Sequence, residues 1–307
     1  MSGRFIGIDW GTTHRRATLL DAQGQVLAQR SDADGTLACA GRFQASLAAL
    51  LQGWTDVDAS VPVVMSGMVG SAIGWQEVPY LDAATPLTQL GRHLAPVRDA
   101  PQGRRCFIVP GCRWRDADGD VDVMRGEEVQ LLGALQLLGP GAADGLYVLP
   151  GTHSKWVELR DGCVRWLRTY MTGELYALLR EKGTLAAMMQ AGEADADRQM
   201  FAQGVADVGE FALSHSLFGA RARVVTGALP AAAASAYVSG LLIGAEWKDL
   251  ARLTERPAAP IRLIGDPRLA AHHAACAYQL GEAADVLDVQ AVQLAAWQAL
   301  REQGGFQ

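Results

Sequence analysis

The sequence predicts an α/β protein of two similar domains, each a mixed β-sheet with flanking helices. Three observations carry that expectation. The chain has 307 residues, more than a single core usually organises, so two domains of roughly 100 to 200 residues are expected. Half of the residues are hydrophobic and 34 are glycine, which suits many tight turns between strands and helices. One strand and turn pattern also occurs twice, at equivalent points of the two halves.

In the first copy, apolar Phe5 to Ile8 leads to Asp9, Gly11 and Thr12, and a second run ends at Thr18, Leu19 and Leu20. A turn around Asp21 to Gly24 and a third run at Val26-Leu27 follow. In the second copy, Leu146 to Leu149 leads to Gly151 and Thr152, then Trp156 to Leu159, a turn at Asp161-Gly162, and Val164 to Leu167. Gly11 in the first half thus has its counterpart in Gly151, early in the second. Each copy reads as a β-meander with a tight, hydroxyl-bearing first turn. Between them, "GEEVQLLGALQLL" places Glu128, Leu131, Leu132, Leu135 and Leu138 at helical spacing. The Gly, Pro and Asp of "LLGPGAADGLYV" mark a domain boundary near residue 140, giving domains 1–140 and 141–307.

The stretch from Val224 to Ala245 carries no charge and is as long as a membrane span. Gly227 and Pro230 interrupt it, so it reads as a short strand ending at Thr226-Gly227 followed by a buried Ala- and Gly-rich helix. No membrane partner is expected. The formal charge of −6 gives no electrostatic footprint for nucleic acid and leaves a small molecule as the expected partner. Five cysteines without a C-x-x-C spacing predict free buried thiols. The short first apolar run is no secretory signal, which predicts a cytoplasmic protein. A homodimer is left open.

A Gly-Thr turn between strands offers backbone N–H groups and hydroxyls to an anion, and glycine permits close approach of a phosphate. Two such turns suit one polyphosphate. They differ in their charged residues: Asp9 and Arg15-Arg16 accompany the first, His153 and Lys155 the second. An acid beside a phosphate turn can hold Mg2+ directly or through water, and Lys or Arg can neutralise charge on a transferred phosphoryl group.

The pattern of Asp9, Gly11, Thr12, Thr13 and Arg16 resembles the first phosphate motif of the actin-like ATPase superfamily. The segments "GIDWGTTHRRA", "VVMSGMVGSAIGW", "VMRGEEVQLLGA", "LPGTHSKWV", "MTGELYALL" and "SGLLIGAE" together resemble the 2-dehydro-3-deoxygalactonokinase family. That resemblance implies two actin-like (ribonuclease H-like) domains around a central cleft. It also implies transfer of the ATP γ-phosphoryl group to the terminal hydroxyl of 2-dehydro-3-deoxy-D-galactonate in galactonate breakdown, with ATP and Mg2+ required.

On this reading Asp9 organises Mg2+, and Gly11, Thr12, Thr13, Gly151 and Thr152 cradle phosphates, with Arg16 and Lys155 countering charge. His153 either donates to a phosphate or holds its turn. The acceptor hydroxyl calls for a carboxylate base, for which Glu127 and Glu128 are equal candidates in a first helical turn whose dipole favours the ionised form; Asp122 is in reserve. Arg125 is placed to bind the substrate carboxylate. Gly67, Gly70 and Ser71 suit a loop holding sugar hydroxyls or carboxylate, and Thr172 and Glu174 wall the pocket with Trp75 and Tyr80. Gly265 and Asp266, in "RLIGDPRLAAHHAACAYQLG", are expected against the adenine or ribose, with His272 and His273 on the helix surface. The rivals are a kinase of another sugar or sugar acid, and a phosphohydrolase or ATPase on the same fold.

Overall fold

The computed structural model describes residues 3–54, 57–101, 103–189, 198–209, 211–250 and 261–304. Contacts divide the chain into two compact units. The first holds Met1–Asp144, Val157–Leu167 and Asp288–Gln307; the second holds Gly145–Trp156 and Arg168–Leu287. The division therefore differs from a single cut near residue 140, because the C-terminal helix packs with the first unit.

The early part of the chain forms strands β1 (Phe5–Trp10), β2 (Arg15–Leu20) and β3 (Val26–Asp32), helix α1 (Phe43–Gln52), and strands β4 (Val63–Ser66), β5 (Leu81–Asp82), β6 (Ala95–Pro96) and β7 (Cys106–Ile108). Strands β8 (Cys112–Arg115) and β9 (Val121–Met124) and helix α2 (Glu127–Leu138) follow. The second half opens with β10 (Gly145–Leu149), β11 (Ser154–Arg160) and β12 (Cys163–Tyr170), then helices α3 (Thr172–Glu181), α4 (Ala186–Met189), α5 (Arg198–Asp207), α6 (Leu213–Val225) and α7 (Ala234–Leu250). The remaining elements are β13 (Ile261–Leu263), α8 (Pro267–Gln279), β14 (Ala284–Val286) and α9 (Val289–Glu302).

The sheet orders bear out the duplication. One sheet runs β3-β2-β1-β4-β7-β6 and another β12-β11-β10-β13-β14, so a sequential three-stranded meander continues in both into two later strands, with the antiparallel β6 added at the edge of the first sheet. Those two strands are parallel to the meander's first strand in each case, β1, β4 and β7 in one sheet and β10, β13 and β14 in the other. Both first strands are apolar on both faces, as central strands covered from two sides must be. In β1, Ile6, Ile8 and Trp10 enter a core with Leu47, Val63, Met65 and Ile108. A third, small sheet of order β5-β8-β9 leads into α2.

Helices α2 and α9 pack closely in the first unit. A Cβ at Gly133 would lie 2.0 Å from the Val292 carbonyl oxygen, so only glycine admits this approach. In the second unit α5 and α7 meet in the same way: a Cβ at Gly204 would lie 2.2 Å from the Tyr237 carbonyl, and one at Gly240 would lie 2.1 Å from that of Phe201.

The uncharged stretch resolves differently from the sequence reading. Val224 and Val225 close helix α6 and form no strand. Gly227 has φ +80°, so the Thr-Gly pair that reads as a strand end is a helix C-terminal signal. The buried helix after it is present as α7, most of whose residues from Ala234 to Leu250 are buried. Among the described residues no helix is long and apolar enough to cross a membrane. All five cysteines are free and buried, as expected.

Candidate active site

The first phosphate turn is the β1–β2 connection. It closes through Gly11 N–H donating to the His14 carbonyl at 2.9 Å, and a second loop braces it, with Thr36 N–H donating to Gly11 O at 3.0 Å and Leu37 N–H to Thr12 O at 3.2 Å. Thr13 is exposed, and its Oγ1 hydrogen-bonds His14 Nδ1 at 2.9 Å. Register separates the two arginines. Arg15 is buried, with Nε and Nη2 each donating to Asp32 at 2.9 Å and its guanidinium over the Trp10 ring; it holds the hairpin. Arg16 is exposed and pairs with Asp9 across the strands. Asp9 lies partly exposed near the carboxyl end of β1. Withdrawal from water raises its pKa above the ordinary carboxylate value, Arg16 opposes that shift, and Glu127 adds to it. Asp9 thus feels the charges of both Arg16 and Glu127.

The parallel neighbour of Asp9 is Ser66, the last residue of β4. Gly67 follows with φ +89°, and a Cβ there would lie 2.9 Å from the Trp10 carbonyl, so the loop needs glycine on both counts. Gly70 clears room for an arginine: a Cβ at this position would sit 3.0 Å from Arg125 Nη1. Ser71 Oγ donates to the Met68 carbonyl at 2.7 Å, so its hydroxyl closes its own turn.

Arg125 itself is 8% exposed. Its Nη2 donates to the Val78 carbonyl at 2.7 Å and its guanidinium lies 4.2 Å from the Tyr80 ring centre. Neither Nε nor Nη1 has a hydrogen-bond partner among the described residues. A buried charge with two idle donors is costly, and an anionic group such as a carboxylate is the kind of ligand that relieves it.

Helix α2 begins at Gly126, which has φ +113° and no side chain to cap the helix. The two glutamates cap it from inside. Glu127 Oε2 accepts from Arg125 N–H at 3.0 Å, and the Glu128 carboxylate accepts from Gly126 N–H at 2.7 and 2.9 Å. They differ in solvent access: Glu127 is partly exposed, whereas Glu128 is 0% exposed. Burial, then the charge of Glu127, pushes the Glu128 pKa up to about 8 against its bonds to the backbone. Desolvation therefore outweighs the helix dipole at this residue, contrary to the expectation that the dipole keeps it ionised.

That shift has a sign. A carboxyl raised from 4.5 to about 8 stays protonated in the folded chain while the unfolded chain ionises, so stability falls as pH rises through that interval. Thermal melts of Glu128→Gln should show the variant gaining on the parent between pH 5 and pH 8. A difference, variant Tm minus parent Tm, that stays constant or falls over that range would refute the assignment. Asp122, the reserve base, is partly buried on β9, and its Oδ1 accepts from Val123 N–H at 2.7 Å.

In the second unit, Gly151, Thr152 and His153 form the β10–β11 turn. The N-terminus of α3 is fitted against it: a Cβ at Gly173 would lie 2.3 Å from the Gly151 carbonyl, and Glu174 N–H donates to Thr152 O at 2.9 Å. His153 Nε2 and Glu174 Oε2 are 2.5 Å apart, both side chains partly exposed. Lys155 is buried on β11, with Nζ donating to Thr169 Oγ1 at 2.9 Å. Beneath the turn lies Glu246 of α7, to which sequence reasoning gave no role. Its Oε2 accepts from Ser154 Oγ and from Trp156 Nε1, both at 2.8 Å. Burial raises its pKa to about 7.

A cavity of about 270 Å³ opens beside this turn, lined by Gly151, Ser154, Thr172, Gly173, Leu242, Asp266, Leu269 and others. Asp266 caps α8, its Oδ1 accepting from Arg268 N–H at 2.9 Å. Gly265 packs on Pro150, where a Cβ would lie 3.1 Å from the carbonyl oxygen. His272 and His273 line the cavity and do not form a solvated face. His273 is 2% exposed and His272 stacks on Phe201. Two signals in the sequence point to these residues. Ala270, His273 and Ala277 share the buried face of α8, and Ser239 and Glu246, two helical turns apart, share a face of an otherwise apolar helix.

Taken together, a duplicated meander sheet, two hydroxyl-bearing turns and an acid at the end of the first strand define a protein with the actin-like ATPase fold. The fold is shared with the activator of the 2-hydroxyisocaproyl-CoA dehydratase from Clostridium difficile, at 12% identity and a TM-score of 0.54 over 98% of this chain and 95% of that one. The chain belongs to the 2-keto-3-deoxy-galactonokinase family, whose profile matches residues 9–300. It is 38% identical over 247 residues to the 2-dehydro-3-deoxygalactonokinase of Escherichia coli strain K12, covering 80% of each chain. A Sinorhizobium meliloti protein provisionally assigned the same activity has a crystal structure that matches with a TM-score of 0.87 and 30% identity, over 97% of this chain and 98% of that one. The chain is accordingly a phosphotransferase with an alcohol acceptor.

Proposed function

We propose that the protein transfers the γ-phosphoryl group of ATP to the 6-hydroxyl of 2-dehydro-3-deoxy-D-galactonate, in the cytoplasm, as a step of galactonate catabolism. The observation that carries this reading is Arg125, a buried guanidinium with two idle donors next to a partly exposed glutamate. A sugar acid supplies a carboxylate for the first group and a hydroxyl for the second. A neutral sugar would leave the guanidinium unsatisfied.

Glu127 is the base of choice over Glu128, since it is partly exposed, whereas burial pushes the Glu128 carboxyl up to about 8 and keeps it protonated at neutral pH. Glu127 accepts the hydroxyl proton as the sugar oxygen bonds to the γ-phosphorus. The bond from that phosphorus to the β,γ-bridging oxygen breaks, and its electron pair leaves with ADP. Arg16 and Lys155 counter phosphate charge, and the N–H groups of the turns at Gly11-Thr12-Thr13 and Gly151-Thr152-His153 hold phosphate oxygens. Gly67, Gly70 and Ser71 shape the sugar-acid loop. Thr172 and Glu174 fix the second turn, and Gly265 and Asp266 flank the adenine end.

Asp9 fits a magnesium ion. It is a single carboxylate largely withdrawn from water, and among the described residues no group of three or more His, Cys, Asp or Glu is arranged to cage a metal. Mg2+ is commonly held this way, by one or two carboxylates with the rest of its shell from phosphates and water. When bound, it neutralises charge on the β- and γ-phosphates.

A coupled ADP-release assay across 2-keto-3-deoxy acids and neutral sugars tests the proposal. ADP release should require the acceptor and favour the sugar acid. Equal release without acceptor would show a hydrolase, and preference for a neutral sugar would remove the role given to Arg125.

A further inference from the structure

The cavity in the second unit contains a polar side chain whose hydrogen-bonding state is fixed by its neighbour. Trp247 Nε1 donates to His273 Nδ1 at 3.2 Å. An indole nitrogen can only donate, so Nδ1 must be the unprotonated nitrogen. Burial holds the ring neutral, its pKa lowered to about 3, so the one ring proton sits on Nε2. The indole is itself immobilised, edge to face with Trp156 at 4.8 Å between ring centres. The ring makes no other hydrogen bond among the described residues, and His273 lines the cavity. Ser239, 6% exposed, lines the same cavity from α7. Leu242, Ile243 and Leu269 supply its aliphatic surface, and Asp266 and Arg268 lie in the lining as well.

A cavity with aliphatic side chains, a donor fixed by its neighbour and hydroxyls from Ser154, Thr172, Tyr176 and Ser239 in its lining fits an aromatic heterocycle that carries an acceptor nitrogen on its edge. The inference rests on the proposal that ATP is the phosphoryl donor, and goes beyond it in naming the group that reads the base. We propose that His273 Nε2–H donates to a ring nitrogen of the adenine, with Trp247 as the residue that locks its tautomer. His273 is then a specificity residue for the nucleotide and takes no part in phosphoryl transfer. Its proton is held over the whole working pH range, so base recognition does not titrate.

The test pairs nucleotide analogues with two substitutions of opposite effect. The 1-deaza, 3-deaza and 7-deaza forms of ATP each lack one acceptor nitrogen. For one of the three, the wild-type KM should rise about tenfold over ATP, the cost of leaving a buried donor unpaired, with kcat and the sugar-acid KM unchanged. His273→Asn keeps an acceptor for Trp247 but its shorter amide leaves its N–H groups short of the Nε2 position. It should raise the KM for ATP to the level of that analogue and abolish the analogue's penalty. His273→Gln sets an amide N–H near the Nε2 position and should restore much of the discrimination. The proposal is overturned if the wild type accepts all three analogues within twofold of ATP, or if the penalty persists unchanged in His273→Asn. Were the sugar acid phosphorylated from another donor and not from ATP, the functional reading would fail first, and this inference with it.

Discussion

Glu127→Gln is expected to lower kcat by about 10²- to 10⁴-fold, the usual contribution of a positioned general base. The amide oxygen can still accept from Arg125 N–H, as Glu127 Oε2 does at 3.0 Å, so the start of α2 keeps its shape. What is lost is the capacity to take a proton. The substitution also removes a charge that raises the pKa values of Asp9 and Glu128, so both carboxyls should ionise more readily in the variant. Thermal stability at neutral pH should therefore hold, and the KM for ATP should change little. Glu128→Gln is the control: its side chain is 0% exposed and kcat should stay within a few-fold. If Glu127→Gln retained a third or more of wild-type kcat, the base would have to be sought elsewhere, with Asp122 the next candidate.

Arg125→Met should collapse kcat/KM for the sugar acid by about 10²- to 10³-fold, in keeping with the roughly 2–5 kcal/mol lost when one side of a buried charge pair is removed. The KM for ATP should be spared. Stability should move the other way or not at all, because the guanidinium is buried with Nε and Nη1 unpaired among the described residues and a thioether of similar length carries no such cost. Arg125→Lys should rescue little, since one compact ammonium cannot hold the Val78 carbonyl, as Nη2 does, and still present donors to the substrate as the wider planar guanidinium can. Equal turnover of the acid by Arg125→Met, measured at subsaturating acceptor, would show that the substrate carboxylate binds elsewhere.

Much of the fold was legible because it is written twice. Either Gly-Thr turn alone is an ordinary hairpin, and only the recurrence of strand, turn and Asp/Gly turn in the second half of the chain points to a shared architecture, which the two sheet orders reproduce. The misread strand at Val224-Val225 shows the limit of local preference: β-branched residues close a helix whose end is signalled by Gly227. Chain return is likewise invisible locally, because nothing in α9 itself announces that it packs on α2. Within the site, spacing brought Arg125, Glu127 and Glu128 to one helix start but could not rank the two acids. Solvent access separates them, and solvent access is a property of tertiary packing at the helix start, where Gly67, far away in sequence, lies against Gly126. Arg15 and Arg16 look equivalent as a dipeptide and are opposed by strand alternation, one inward and one outward. The cavity's polar residues were missed because a histidine pair in a helix reads as surface unless the small residues around it are used to set the buried face.

The glycine-mediated seam between α5 and α7 bears on how the cavity can respond to what enters it. With main chain packed against main chain at Gly204 and Gly240, α7 has no soft side-chain layer behind it to compress. The wall that carries Leu242 and Ile243 is thus backed by something close to a solid surface, while another part of the lining comes from side chains at the start of α8, where Leu269 is 36% exposed. Compliance is one-sided. A substituent that enlarges the ligand toward α8 can be absorbed by rotamer changes, whereas one directed at α7 meets a barrier, so the cavity discriminates by the direction of added bulk as well as by its amount.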